Sequence, residues 1–132
     1  MTRQVVSSGG PFEPLYGYSR AVRVGVQVHV AGTAARGEAL AGDAYAQTQN
    51  ILATIRSALE QAGARIEDVV RTVIYVTDIG DADLVGRAHS EVFGSVRPAS
   101  TMVQYLSRGS AQHKPRERCR RRSSDQTKPT TA

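Results

Sequence analysis

The stretch Val69-Val-Arg-Thr-Val-Ile-Tyr-Val-Thr77 is the strongest strand signal in the chain. Five of its nine residues are valine or isoleucine. β-Branched and aromatic side chains at this density favour a buried strand. The elements predicted on either side of this strand determine the fold class.

A helix is predicted on each side of the strand. The first begins after Asp43, whose carboxylate can accept hydrogen bonds from the free N–H groups of the first turn, and it ends at Gly63. The second begins at Asp81 or Asp83 and ends at Gly94. The apolar faces at helical spacing are Ile51, Ile55, Ala58, Leu59 and Ala62 in the first helix, and Val85, Ala88, His89, Val92 and Phe93 in the second.

Further strands are predicted near both ends of this region. Within residues 17–33, five valines stand on alternate positions, a period of two that is typical of a strand. Gly25 marks a turn that folds the stretch into a hairpin, and pairing of Val24 with Val28 keeps the valines outside the loop on one face. Residues 100–106 form the last predicted strand. The order of elements predicts an α+β domain, a sheet with both helices on one face.

The positive charge is concentrated at the end of the chain, which has 132 residues and a net charge of +5. Residues 1–106 carry nine basic residues against ten acidic ones, whereas residues 107–132 carry eight against two. Residues 1–106 are therefore predicted to form one near-neutral domain. Only 5% of the chain is aromatic and tryptophan is absent, which disfavours a base-stacking surface for nucleic acid.

The basic segment 107–132 contains no valine, isoleucine, leucine, methionine or aromatic residue. Such a segment cannot bury enough apolar surface to offset the entropy of ordering, so it is expected to be disordered or held by a partner. Two interpretations stay open for it: a solvated tail without a role, or a basic arm that binds nucleic acid or an acidic surface.

Several protein classes are disfavoured by what the sequence lacks. No apolar run approaches the roughly 20 residues of a membrane-spanning helix, and the first residues lack the apolar segment of a signal peptide. The one cysteine, Cys119, cannot form an internal disulfide, so the reducing cytoplasm is the expected location. Nucleotide-binding and common hydrolase motifs are missing, and His29, His89 and His113 are too dispersed to form a metal site.

Three residues invite a chemical role. His89 lies on the apolar face of the second helix, where it is either a general base or a hydrogen-bonded core residue, the commoner case. Tyr18 precedes the valine strand and is either a pocket phenol or ordinary packing. Arg97 follows the second helix and either binds a carboxylate through both guanidinium nitrogens or is a solvated surface arginine.

The order of several short segments resembles the reactive-intermediate deaminase (Rid) family, which is also described as L-PSP endoribonuclease-like or translation-inhibitor-like. The segments are Tyr18-Ser-Arg-Ala-Val, Val28-His-Val-Ala-Gly-Thr33, Gln47-Thr-Gln-Asn-Ile-Leu52, Ala62-Gly-Ala, Asp68-Val-Val-Arg-Thr-Val-Ile-Tyr-Val-Thr-Asp78 and Arg97-Pro-Ala99. The resemblance implies a chorismate-mutase-like α+β fold, with a mixed sheet and two helices on one face. It also implies a homotrimer with ligand clefts between the subunits.

The activity that the resemblance implies is the hydrolysis of enamines and imines, such as 2-aminoacrylate, to a keto acid and ammonia. The resemblance further implies that no metal or organic cofactor takes part, and that an arginine, backbone groups and a carboxylate-held water act by positioning and electrostatics. Two other functions stay open. One is a non-catalytic trimer that binds or senses a small metabolite, and the other is a ribonuclease or translation inhibitor, for which only the basic tail argues.

The family's cleft residues carry over in part. Tyr18 falls on a cleft tyrosine and Ala31-Gly32-Thr33 on a Ser-Gly-Gln segment, while an asparagine of the second helix falls at Gly86. The family's Pro-Ala-Arg reads Pro98-Ala99-Ser100, so Ser100 stands where the carboxylate-binding arginine is expected. A carboxylate without its two-point partner loses about 2–5 kcal/mol of interaction, enough to change the substrate class.

The chain instead resembles a branch of the family that lacks this arginine. The matching segments are Gly86-Arg-Ala-His-Ser-Glu-Val-Phe-Gly94 and Arg97-Pro-Ala-Ser-Thr-Met-Val103. In that branch the predicted catalytic residues are His89 and Glu91. The predicted substrate-binding residues are Tyr18, Ala31, Gly32, Thr33, Arg97, Ser100 and Thr101.

The resemblance also bears on the end of the chain. Relatives continue into a last apolar strand with a glutamate, whereas residues 107–132 are rich in arginine and serine. One hypothesis is a shift of reading frame near residues 104–106, which would replace the native strand by out-of-frame sequence. The other is a genuine basic extension.

Overall fold

The structure, a computed structural model, describes residues 2–106 and the backbone of residues 128–131. These residues form six strands and three α-helices. In chain order they are β1 (Arg3–Val6), α1 (Phe12–Tyr16), β2 (Ala21–Val24), β3 (Gln27–Val30), α2 (Ala44–Gln61), β4 (Arg71–Val76), α3 (Ala82–Phe93), β5 (Ala99–Gln104) and β6 (Lys128–Thr131).

The strands form two three-stranded sheets. The first has the order β1-β2-β3 and is antiparallel throughout. The second has the order β5-β4-β6, in which β4 and β5 are parallel and β6 is antiparallel to β4. Strand β6 comes close to β3, so the two sheets lie next to each other. The parallel pair is connected through α3, the kind of crossover that parallel strands require.

The two long helices pack against each other and cover one face of the sheets. The predicted N-cap of α2 is confirmed, because the Asp43 carboxylate accepts a hydrogen bond of 2.8 Å from the N–H of Ala46. The predicted end is also confirmed, since Gly63 follows the helix with a left-handed φ of 80°. The residues that join sheet and helices in the core include Val6, Ala21, Val30, Ile51, Ile55, Leu59 and Phe93 around α2, and Ile74, Val76 and Val85 around α3.

Strand β4 confirms the strand predicted from the opening stretch. Its residues alternate between the helix-covered face, where Thr72, Ile74 and Val76 are buried, and the opposite face, where Arg71 and Tyr75 are exposed. The parallel register with β5 places Ser100 beside Thr72. A polar pair therefore lies on the inner face of an otherwise apolar strand.

The predicted hairpin exists, but its predicted register is wrong. Val24 pairs with Gln27 and not with Val28. Gly25 takes a φ of 58°, which permits a tight two-residue turn and shifts the pairing by one residue. Since a shift of one residue exchanges the faces, Val24 lies on the face opposite to Val28 and Val30.

Both ends of the described chain add elements that the sequence did not indicate. Strand β1 extends the hairpin, and the five-residue helix α1 follows it. At the other end, residues 128–131 form β6 beside β4, whereas the expectation for residues 107–127 lies outside the described residues. No helix of the described part is both long and apolar enough to cross a membrane.

The face of the sheets that the helices leave open carries apolar side chains. Val5 is 54% exposed, and Tyr75 and Val103 are each 40% exposed. Val5 lies in the first sheet and the other two lie in the second, so the exposed apolar groups are spread along the face.

Candidate functional site

Arg20 connects the predicted cleft residues of the first sheet. Its guanidinium donates hydrogen bonds to the carbonyl of Gly32 at 2.8 Å and to the hydroxyl of Thr33 at 3.0 Å. Its backbone carbonyl accepts from the N–H of Ala31 at 2.9 Å. The guanidinium also lies 5.5 Å from the centre of the Tyr18 ring, close enough for a cation–π contact. The structure therefore brings Tyr18, Ala31, Gly32 and Thr33 together around one buried side chain.

The charge of Arg20 is balanced by Glu13 of helix α1. Both side chains are almost completely buried, and their nearest charged atoms are 4.0 Å apart. Burial by itself raises the pKa of Glu13, but hydrogen bonds from Ser8 and Gly10 outweigh it and hold the pKa below its ordinary value. Arg36 adds a second cation at 3.8 Å. An ionised carboxylate thus anchors α1 to the first sheet.

A second cluster of predicted residues lies in the other sheet. The hydroxyl of Thr72 donates a hydrogen bond of 2.8 Å to the hydroxyl of Ser100. The same hydroxyl lies 3.0 Å from Nε2 of His89 on α3. Thr72 therefore joins the predicted catalytic histidine to the serine that replaces the family arginine.

His89 is half-buried between α3 and β4. Its ring packs against Phe93 with the ring centres 4.6 Å apart. Burial lowers the pKa of His89, because the charged imidazolium loses solvation there. The imidazole is therefore neutral at pH 7, the state that can accept a proton.

The structure does not bring the other predicted catalytic residue, Glu91, to His89. The carboxylate of Glu91 accepts hydrogen bonds from the Tyr45 hydroxyl at 2.6 and 2.7 Å. The guanidinium of Arg87 lies over the same tyrosine ring at 4.1 Å. Glu91 thus links α3 to α2 at an exposed position. Its side chain does not join that of His89, because residues two positions apart on a helix point to different faces.

Arg97 and Thr101 make no side-chain hydrogen bond to the His89 cluster in the part of the chain that the structure describes. Arg97 is exposed and takes a φ of 56°, while its backbone N–H donates to the Phe93 carbonyl at 2.8 Å. Thr101 is exposed and lies beside Val73 in the register. Because successive strand residues alternate between faces, Thr101 faces the open side of the sheet and Ser100 the helix side.

The comparisons with known proteins agree on one family. The model of the Endoribonuclease L-PSP family matches residues 10–107, about three quarters of the chain. The chain belongs to the endoribonuclease L-PSP family. The fold is accordingly the chorismate-mutase-like α+β fold that the resemblance implied.

Individual relatives of this L-PSP family chain support the same assignment. An uncharacterized protein of Streptomyces coelicolor is 45% identical over 101 residues, which cover 74% of this chain and 75% of that protein. The 3-aminoacrylate deaminase RutC of Acinetobacter baylyi is 32% identical over 108 residues, with 79% and 86% covered. A crystal structure from Mycobacterium tuberculosis, a member of the YjgF/YER057c/UK114 family, superposes with a TM-score of 0.80 at 41% identity and covers 98% of this chain and 97% of that one.

A cavity of about 570 Å³ lies elsewhere in this L-PSP family chain. It opens between β3 and the residues that lead into β4, and its lining includes Arg23, His29, Leu59 and Arg71. None of the predicted site residues lines it. The candidate site is therefore defined by hydrogen bonds among its residues and not by this cavity.

Three residues of the candidate site were not singled out from the sequence: Glu13, Arg20 and Thr72. Arg20 could have been found as the charged residue inside the resembling segment Tyr18-Ser-Arg-Ala-Val. Thr72 could have been found as the polar residue at an inward position of the strongest strand. Within the described residues, no three His, Cys, Asp or Glu side chains gather closely enough to hold a metal ion.

Proposed function

We propose that this chain assembles as a homotrimer whose clefts between subunits hydrolyse a small imine or enamine to a carbonyl compound and ammonia. Family membership and the similarity to a 3-aminoacrylate deaminase support this activity. The observation that carries the proposal is the division of the predicted cleft residues into two clusters. No hydrogen bond or ion pair among the described residues joins the Arg20 cluster to the His89 cluster.

A cleft between two subunits unites such clusters. One subunit contributes Tyr18 and the Ala31-Gly32-Thr33 segment, held by Arg20, and its neighbour contributes His89 and Ser100. Exposed apolar side chains on the open face of the sheets supply a surface for assembly, with Val5, Tyr75 and Val103 among them. In this proposal the site is complete only in the oligomer.

The reaction needs no cofactor, because the carbon of a C=N bond is already electrophilic. Water adds to this carbon and gives a carbinolamine, from which the C–N bond breaks to release ammonia. Neutral His89 is suited to exchange protons in these steps, since its lowered pKa keeps it unprotonated near pH 7. Tyr18 and the backbone of Gly32 serve to orient the substrate.

Ser100 determines the class of substrate in this proposal. A serine hydroxyl makes neutral hydrogen bonds, whereas the arginine expected at this position binds a carboxylate through two charged ones. A substrate carboxylate at this position loses about 2–5 kcal/mol of interaction. We therefore expect imines with an uncharged group at this end to be preferred over 2-aminoacrylate.

The activity is tested by generating 2-aminoacrylate in situ and following ammonia release, beside an uncharged imine. Acceleration over buffer, larger for the uncharged imine, is the expected result. Substitution His89→Ala should abolish the acceleration, whereas Arg56→Ala, at an exposed position on α2, should leave it unchanged. No acceleration with any substrate would contradict the proposed enzyme and leave the non-catalytic metabolite-binding trimer.

The assembly is tested by light scattering of the folded protein. The expected mass is that of three chains. A folded single chain would contradict the shared cleft and with it the proposed function. A variant that lacks residues 107–127 can be passed over immobilised RNA beside the full-length protein. Retention of this variant, which keeps the near-neutral domain, would favour the ribonuclease interpretation instead.

A further inference from the structure

Three polar side chains form a continuous hydrogen-bonded row from the edge strand into the protein. The Ser100 hydroxyl on β5 is 2.8 Å from the Thr72 hydroxyl on β4, which is 3.0 Å from Nε2 of His89 on α3. Ser100 is exposed, His89 is half-buried, and Thr72 has no exposed surface. The row therefore connects an accessible hydroxyl to an imidazole through a group that water cannot reach.

The Thr72 side chain is fully buried, but packing alone does not require a hydroxyl at this position. Its inward neighbours on the strand, Ile74 and Val76, are buried and apolar, and valine has nearly the same shape as threonine. A buried hydroxyl costs about 1–3 kcal/mol in proteins unless it is hydrogen-bonded. The hydroxyl of Thr72 meets this requirement on both sides, through Ser100 and His89.

A single hydroxyl carries one proton, so Thr72 can donate to only one of its two neighbours. When Thr72 donates to Ser100, Nε2 of His89 is the donor to Thr72. The proton of Ser100 is then free to be given to a ligand. In the reverse direction, Ser100 donates to Thr72, Thr72 donates to a bare Nε2, and Ser100 can only accept.

We propose that Ser100, Thr72 and His89 form a proton relay, in which Thr72 passes a proton between Nε2 of His89 and the hydroxyl of Ser100. Each transfer moves one proton along the row: Ser100 gives its proton to a ligand and takes that of Thr72, which takes the proton of Nε2. As Nε2 gives up its proton, Nδ1 takes one from solvent, so the neutral imidazole changes tautomer and no imidazolate forms. Ser100 is thereby a proton donor to the cleft, and Thr72 is a positioning residue that acts through it.

The role of the relay in catalysis rests on the proposed function. Once water has added to the C=N bond, the carbinolamine nitrogen must gain a proton before the C–N bond breaks. Ser100 supplies this proton and regains one from Nε2 of His89 through Thr72, while Nδ1 takes up a proton from water, so that the imidazole stays neutral. The carbinol O–H proton is lost to water as the carbonyl forms, so that imine and water give carbonyl compound and ammonia with no net change in protons.

The relay itself is tested without any substrate, by ¹⁵N NMR of the His89 ring in the labelled protein. The variant His89→Gln identifies its signals among those of the three histidines. In the parent protein Nε2 is expected to carry the proton. In Ser100→Ala the acceptor for the Thr72 proton is gone, so Thr72 should donate to Nε2, and the Nε2 signal should move toward that of a bare nitrogen.

The controls follow from the order of the row. The shift of the Nε2 signal that Ser100→Ala causes should vanish when Thr72→Val is also present. It should be kept when Thr72→Ser is present instead, because serine retains the hydroxyl. Replacing Ser95, an exposed serine outside the row, by alanine should not move the signal. A His89 spectrum that ignores Ser100→Ala, or that responds equally in the Thr72→Val background, overturns the relay. If Thr72→Val does not fold, the single variant Ser100→Ala decides alone, because Ser100 is exposed.

Turnover then separates the relay from the proposed function. If the protein hydrolyses an imine, Ser100→Ala and Thr72→Val should each slow ammonia release about 100-fold. The double variant should be no slower than either single variant, since both substitutions interrupt the same relay. If the protein has no deaminase activity but its His89 signal still responds to Ser100→Ala, the relay is supported and the proposed function is wrong. If the protein is an active deaminase but its His89 signal does not respond to Ser100→Ala, the relay is wrong.

Discussion

Replacing Glu13 by glutamine should destabilise the folded protein far more than a surface substitution of the same kind. Glu13 is 2% exposed and lies between Arg20 and Arg36. Glutamine keeps the size of the side chain but leaves the buried Arg20 guanidinium without a carboxylate. Removing one partner of a buried ion pair costs about 3–5 kcal/mol.

The lower end of this range, about 3 kcal/mol, is expected here, because the amide oxygen of glutamine still accepts a hydrogen bond from Ser8 or Gly10. Such a loss is a large share of the 5–15 kcal/mol that typically separates folded from unfolded domains. The assay is urea unfolding at fixed protein concentration. The matched control is Asp68→Asn in the exposed pair with Arg65, where less than about 1 kcal/mol is expected.

The same prediction has a pH dependence with a definite sign. The pKa of Glu13 is lower in the folded protein than its ordinary value of 4.5, so the carboxylate stabilises the fold above pH 4.5. This contribution is lost as the pH falls through the folded-state pKa. The difference between the parent and Glu13→Gln should therefore shrink between pH 7 and pH 3. A cost no larger than that of Asp68→Asn, or one that is the same at both pH values, would refute the buried ion pair.

Three further predictions concern the helices. Asp43→Ala removes the capping bond of α2 and should cost about 1 kcal/mol in urea unfolding, and an unchanged midpoint would contradict the cap. Gly63→Ala forces an alanine into a φ of 80° and should lower the free energy of unfolding by about 1–2 kcal/mol. Gly86→Ala, in open space on α3, should raise it by about 0.5–1 kcal/mol. Equal effects of the two substitutions would contradict the role of the left-handed φ at Gly63. The hydrogen bond to Glu91 raises the pKa of Tyr45, so Glu91→Gln should let one tyrosine ionise at lower pH in an ultraviolet titration, and identical curves would contradict it.

The fold could be predicted from sequence wherever a local signal was strong. Helix α2 was predictable because Asp43 and Gly63 mark its ends and its apolar residues recur at one spacing. Strands β1 and β6 were not, because each has four residues and is held by pairing with a distant strand. The hairpin register depended on a turn one residue shorter than expected, and the valine pattern fits either register.

The site was predictable in its residue types and less so in its connections. The resemblance pointed to Tyr18, His89 and Ser100, but it carried no information on the side chains that hold them. Arg20 joins Tyr18 to the Gly32 segment across 12 residues, and Thr72 joins His89 to Ser100 across two elements. Such links come from tertiary contact, and periodicity along the chain does not encode them.

Strand parity explains why adjacent residues of the resembling motif cannot share one role. Ser100 and Thr101 are neighbours in sequence, yet Ser100 meets Thr72 on the helix side while Thr101 lies beside Val73 on the open side. A helix residue such as His89 can reach only the first of them. Matching a sequence motif therefore predicts which residue types are present in this chain. The register of β4 with β5 determines which of those residues can act together.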